Sequence, residues 1–138
     1  RGGGKIGLPE VNLGVLPGTG GTQRLTRVLG KARALEWMIT GRTSSFEEAR
    51  EAGLVHQVWE PETFAERVID YAREFCPPAR AARAVGLIKR SVQSGAEVGL
   101  HEGLALEREL QQQLFTSDDA GEGISAYLEK RKASFTGR

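Results

Sequence analysis

Residues 6–25 read IGLPEVNLGVLPGTGGTQRL. This run holds a single carboxylate, Glu10, and enters a glycine-rich turn at Gly18 that opens a helix. Pro9 fixes its own φ and pushes Leu8 toward extended backbone, so an extended piece carrying Glu10 is expected. In such a piece Val11, Leu13 and Val15 share one side and would face a core, while Glu10, Asn12 and Gly14 point the other way. Pro17 ends the run. Gly18, Gly20 and Gly21 permit positive φ and close backbone approach, and Thr19 or Thr22 is expected to cap the following helix. A helix start of this kind offers unpaired N–H groups and partial positive charge, which suit an anion, a carboxylate or a polarised water.

The plain alternative is a strand–turn–helix connection whose glycines serve only the turn. Two nucleotide-binding readings fail on spacing. A phosphate loop ends in Gly-Lys-Ser/Thr, but Gly21 is followed by Thr22 and Gln23; the dinucleotide fingerprint needs a third glycine where Gln23 stands.

At 138 residues, with 39% hydrophobic residues and a formal charge of +1, the chain suits one ordinary globular domain. That charge gives no nucleic-acid-scale basicity. No run approaches the ~18 apolar residues of a membrane span, and the N-terminal Arg-Gly-Gly-Gly-Lys lacks the apolar stretch of a signal peptide. A single cysteine, Cys76, cannot pair within the chain, which points to a reducing compartment, cytoplasmic or mitochondrial matrix. Preceding Pro77 and Pro78, far in sequence from His56 and His101, Cys76 reads as a small buried or rim residue rather than a nucleophile. His56 and His101 have no partners at ligand spacing, so no metal is expected.

The rest of the chain reads as helices. Helices are expected over 21–29, stopping at Gly30, and over 31–40, stopping at Gly41, the second burying Leu35, Met38 and Ile39. Ser44 to Glu47 predicts a capping box for a short third helix ending at Gly53. Leu54 to Trp59 alternates like a strand. After Pro61 a helix places Phe64, Val68, Tyr71, Ala72 and Phe75 on one face as core residues and stops before Pro77. Further helices are expected over 80–93 and 100–114, and a last one from Asp118 or Asp119 to about Lys132, capped by Ser117. Leu100, Leu104, Leu106, Leu110 and Leu114 span an arc of about 160° at 100° per residue, a stripe broad enough for more than one neighbour. Two short strands do not make a stable sheet alone. The chain therefore reads as part of something larger, or as one that completes its core with other chains.

Three blocks, in order, resemble the enoyl-CoA hydratase/isomerase (crotonase) family: GLPEVNLGVLPGTGGTQRLTRVLGKARALEWMITGR, EEAREAGLVHQVWEPE and SDDAGEGISAYLEKRKASF. The resemblance covers about Lys5 to Phe135 and implies the α/β crotonase (ClpP/crotonase-like) fold, this chain being its mainly helical C-terminal part with one or two short strands. On that reading 1–4 are a tag, junction or truncated end, 5–59 the end of the crotonase core, and 60–138 a helical trimerisation region.

The resemblance implies roles residue by residue. Glu10 matches the glutamate that gives or takes a proton at the carbon next to the thioester, a type of catalysis worth about 10²- to 10⁴-fold. Gly18 matches the position whose backbone N–H helps hold the attacking water. Lys130 or Lys132 matches the C-terminal lysine that reaches coenzyme A bound by a neighbouring subunit. The reaction implied is hydration of a 2-enoyl-CoA, with delta isomerisation next; coenzyme A is part of the substrate and no further cofactor is expected. A homo-oligomer, a trimer or dimer of trimers, is implied as well. The family's oxyanion hole and second glutamate lie upstream of the signature and have no counterpart here, and one lost oxyanion donor costs about 2.7–4 kcal/mol. These 138 residues by themselves are therefore expected to be inactive or nearly so.

Two readings of other classes stand beside this one. A non-catalytic helical assembly module would associate with or without acyl-CoA. Nucleic-acid binding by the C-terminal basic helix ranks last, given the balanced charge. The basic run Arg80, Arg83, Lys89 and Arg90 reads as a solvated face.

Overall fold

A computed structural model describes residues 3–138. Arg1 and Gly2, half of the segment read as a tag or junction, lie outside the described residues. Where length suits one domain, the chain forms two compact units, dividing between Ala65 and Glu66.

In the first unit, strand β1 (Ile6–Gly7) pairs antiparallel with β2 (Thr43–Ser44), Ile6 opposite Ser44 and Gly7 opposite Thr43. A 3-10 helix (Glu10–Leu13) follows β1, then α1 (Gly21–Leu29), α2 (Lys31–Thr40) and α3 (Phe46–Glu51). Glycines end the helices as expected: Gly30 follows α1, and Gly41 closes α2 at φ 60° with its N–H donating to Met38 O. The core is Leu25, Ala34, Trp37, Met38 and Ala49, with Ile6, Leu8, Leu29, Leu54 and Val55 packed on it.

Several expectations are corrected. On α2, Leu35 and Ile39 are exposed and Ala34, Trp37 and Met38 are buried, because this helix turns its indole rather than its branched residues inward. The capping box sits one residue later: Ser45 Oγ accepts from the Glu48 N–H and Glu48 Oε2 from the Ser45 N–H, both at 3.1 Å, since Ser44 is taken up by β2. Neither Thr19 nor Thr22 caps α1. Gly20 holds the cap position at φ 89°, and Thr19, itself at φ 52°, donates its hydroxyl to Gly18 O at 2.8 Å. Leu54 to Trp59 forms no strand; Leu54 and Val55 instead hydrogen-bond back to Ala49 O and finish the turn after α3.

The second unit contains α4 (Phe64–Arg73), which begins just before the division, α5 (Ala82–Gly95), α6 (Leu100–Phe115) and α7 (Asp118–Leu128). The aromatic stripe of α4 is not core: Phe64, Val68, Tyr71 and Phe75 are exposed, with Tyr71 and Phe75 meeting edge to face at 5.0 Å. Cys76 is exposed too, which removes the buried alternative for it. α5 and α6 form a hairpin in which a β-carbon on Gly103 would lie 3.4 Å from Gly95 O, so backbone approaches backbone. Of the leucine stripe on α6, Leu110 is buried while Leu100 and Leu104 are exposed. Ser117 caps α7 as expected, accepting from the Ala120 N–H at 3.2 Å.

α7 ends at Leu128, short of Lys132, and the chain then folds back. Asp119 receives the Thr136 and Gly137 N–H groups at 2.7 and 2.8 Å, and the Phe135 N–H reaches Pro78 O at 3.2 Å. These donors, Thr136 first, hold the Asp119 carboxyl below its usual range. Among the described residues no helix is long and apolar enough to cross a membrane.

Candidate active site

The backbone at Glu10 is helical, not extended. The Asn12 N–H reaches Pro9 O at 2.9 Å, the Gly14 N–H reaches Val11 O at 3.0 Å, and Gly14 at φ 73° closes the turn. Glu10 is thus the first residue of a single 3-10 helix. Val11, Leu13 and Val15, expected to face a core, are exposed for the same reason: one tight turn replaces the alternation of a strand. Leu8 and Pro17, which bracket the segment, both pack toward Gly21, where a β-carbon would sit 2.8 Å from Pro17 Cβ and 3.4 Å from a Leu8 methyl. The Glu10 loop is therefore clamped at its two ends against the first residue of α1.

Within this clamp Glu10 is half-buried, and its Oε2 is out of contact with solvent and has no hydrogen-bond partner. A buried carboxylate oxygen without a donor is costly in a folded chain, and such atoms concentrate where a ligand or water completes the site. Gly18 sits on the same connection, exposed. Its carbonyl accepts from both the Gly21 N–H and the Thr19 hydroxyl, whereas its N–H meets no acceptor among the described residues. One segment thus offers an unpartnered carboxylate oxygen and an unpartnered N–H. A cavity of about 240 Å³ lies against the clamp, lined by Ile6, Leu8, Gly21, Leu25, Val28 and Trp37.

Lys130 and Lys132 belong to the second unit, both exposed on the turn that leaves α7. Arg131, between them, is engaged by acids: Nη1 and Nη2 donate to the two Glu122 oxygens at 2.7 and 2.8 Å, and Nε donates to Glu129 at 2.6 Å. Those bonds, followed by the Ser134 N–H, hold Glu122 down at about 2. Sequence reading missed this arrangement, because Glu122 and Arg131 meet only once the chain reverses. A basic residue just past the helix end, nine positions after an acid, was the available signal. Among the described residues no group of three or more His, Cys, Asp and Glu side chains gathers where a metal could bind.

A family model described as enoyl-CoA hydratase/isomerase matches residues 3–138. The chain belongs to the enoyl-CoA hydratase/isomerase family. It is 42% identical over 134 residues to a probable enoyl-CoA hydratase of Rhizobium meliloti, covering 97% of this chain and 51% of that protein. To the mitochondrial enoyl-CoA hydratase of Pongo abelii it is 41% identical, covering 92% and 43% respectively. The structure superposes on an enoyl-CoA hydratase from Geobacillus kaustophilus at 50% identity with a TM-score of 0.87, covering 98% of this chain and 50% of that one. The fold is that of the crotonase family, represented here by its mainly helical C-terminal portion. The chain spans about half the length of the relatives it matches.

Proposed function

We propose that this chain carries the Glu10 side of a hydratase site that adds water across the double bond of a 2-enoyl-CoA thioester. The observation that carries the reading is the Glu10 Oε2 atom, buried and unpartnered on a loop clamped against α1. In hydration the water oxygen bonds to the carbon two removed from the thioester carbonyl, and a proton is delivered to the carbon beside that carbonyl. Glu10 handles the proton at the latter carbon, and the free Gly18 N–H orients the water. Clamping at Leu8 and Pro17 keeps the carboxyl on a short tether, which is what proton transfer over one hydrogen-bond length requires.

Lys130 and Lys132 meet phosphates of the coenzyme A moiety, the thioester being substrate and no other cofactor being used. The protein works as a homo-oligomer, a trimer or dimer of trimers, in a cytoplasmic or matrix compartment. Supporting the assembly are apolar side chains left in solvent, among them Leu13, Leu16, Ile39 and Tyr127.

The test is Glu10→Gln in the polypeptide that carries this chain, assayed for hydration of crotonyl-CoA. A fall of about 10²- to 10⁴-fold is expected. Activity within tenfold of the unsubstituted protein removes Glu10 from the chemistry. Conversion of a 3-enoyl-CoA without hydration of the 2-enoyl isomer makes the reaction an isomerisation.

A further inference from the structure

Lys130, Arg131 and Lys132 are three consecutive cations that the fold treats differently. Arg131 places its planar fork on both oxygens of Glu122. Neither lysine ammonium has a carboxylate partner among the described residues. The backbone around them is held from several sides. Lys130 adopts φ 56°, the left-handed conformation that usually selects glycine after a helix. Its N–H donates to Tyr127 O at 3.2 Å while the Arg131 N–H donates to Ala126 O at 3.0 Å, the paired bonds of a helix-ending turn. Glu122 then reaches past Arg131 and accepts the Ser134 N–H at 2.8 Å. Lys132 lies on the short arc between these two points of attachment to one carboxylate.

We propose that Glu122 is a positioning residue for phosphate recognition: through Arg131 and the Ser134 amide it fixes the turn that presents Lys130 and Lys132 to a coenzyme A-type polyphosphate. This rests on the reading of the two lysines given above. The division of labour follows from side-chain chemistry. Guanidinium matches a carboxylate with two parallel bonds and so makes the rigid joint, whereas ammonium is a movable point charge suited to a phosphate. A turn ordered before the ligand arrives spares the complex the entropy of ordering it.

The experiment measures dissociation constants by calorimetry in the polypeptide that carries this chain, with coenzyme A and with pantetheine, which lacks the phosphates. Glu122→Gln keeps the size of the side chain and removes its charge. It is expected to weaken coenzyme A about three- to fivefold and to leave pantetheine unchanged. Arg131→Lys, which retains a cation without the fork, should show the same selective loss and serves if Glu122→Gln fails to fold. In a K130Q/K132Q background, Glu122→Gln should add nothing. Equal weakening of both ligands would reduce Glu122 to a structural role and overturn the inference. Normal coenzyme A binding by Glu122→Gln, with weakened binding by K130Q/K132Q, overturns it too but leaves the lysine reading standing. Normal binding by K130Q/K132Q overturns the lysine reading and the inference with it.

Discussion

The side chain of Asn12 lies so close over Gly41 that a β-carbon there would sit 2.7 Å from Asn12 Nδ2 and 2.9 Å from Oδ1. The 3-10 helix that starts at Glu10 is thereby seated on the C-terminal end of α2, and Gly41 at φ 60° both ends α2 and makes the room. Gly41→Ala combines left-handed strain with a clash, and is expected to cost about 1–3 kcal/mol of stability. On the function proposed above, it should also slow crotonyl-CoA hydration by the polypeptide that carries this chain, by shifting the loop that holds Glu10. Denaturant melts and activity measured together check this, and a stable, fully active variant contradicts it.

Trp37 is 2% exposed, and the Arg42 guanidinium stacks over its ring at 5.0 Å. Arg42 in turn donates to Ser44 Oγ at 3.2 Å and Glu48 Oε1 at 3.3 Å, so β2 and α3 are tied down over the indole. Trp37→Ala should cost about 3–5 kcal/mol, the range for deleting a large buried aromatic. Urea unfolding reads the loss directly; a cost under about 1 kcal/mol would mean that the indole is not the keystone of the first unit.

Ser45 satisfies the Glu48 N–H at the first turn of α3, and α3 has only six residues to hold it together. Ser45→Ala is expected to destabilise by about 1 kcal/mol, whereas Ser45→Asp, another good cap, should be nearly neutral. The same substitutions at Ser44 would act through burial in β2 instead, which separates the two serines experimentally.

Acid should loosen the C-terminal tail before it reaches the helices. Glu122 is lowered from 4.5 to about 2, chiefly by the hydrogen bonds from Arg131, and Asp119 is lowered from 3.8, chiefly by the Thr136 N–H. A carboxyl lowered on folding contributes stability above its unfolded value and loses it as pH falls through the folded one. The Glu122 contribution is therefore complete above about pH 4.5 and fades toward pH 2. Amide exchange at Ser134, Thr136 and Gly137, corrected for intrinsic rates, should accelerate across that interval in the native protein and not in Glu122→Gln at Ser134. Unchanged protection down to pH 2 would refute it.

The order of helices and their glycine and serine boundaries were readable because they depend on neighbours three to five residues apart. Gly30, Gly41 and Ser117 each end or start a helix through such local bonds. The Glu10 segment was misread because PEVNL alternates polar and apolar residues like a strand, while the winning interaction, Asn12 N–H to Pro9 O, leaves no pattern. Partners of Asp119 and Glu122 lie 9 to 18 residues away, beyond any local signal. The stripes on α4 and α6 gave the correct helical faces but not their burial, since spacing tells which side chains share a face and not what covers it.

Gly95 and Gly103 touch almost backbone to backbone near the start of α6. They work as a pivot pin. From Gly103 the helix runs on for about 18 Å at 1.5 Å per residue, so any bulk wedged at the pin is magnified at the far end. That end is where Ser117 caps α7, and α7 carries Glu122. Two residues without side chains thus set how closely α5 and α6 approach at the closed end of their hairpin.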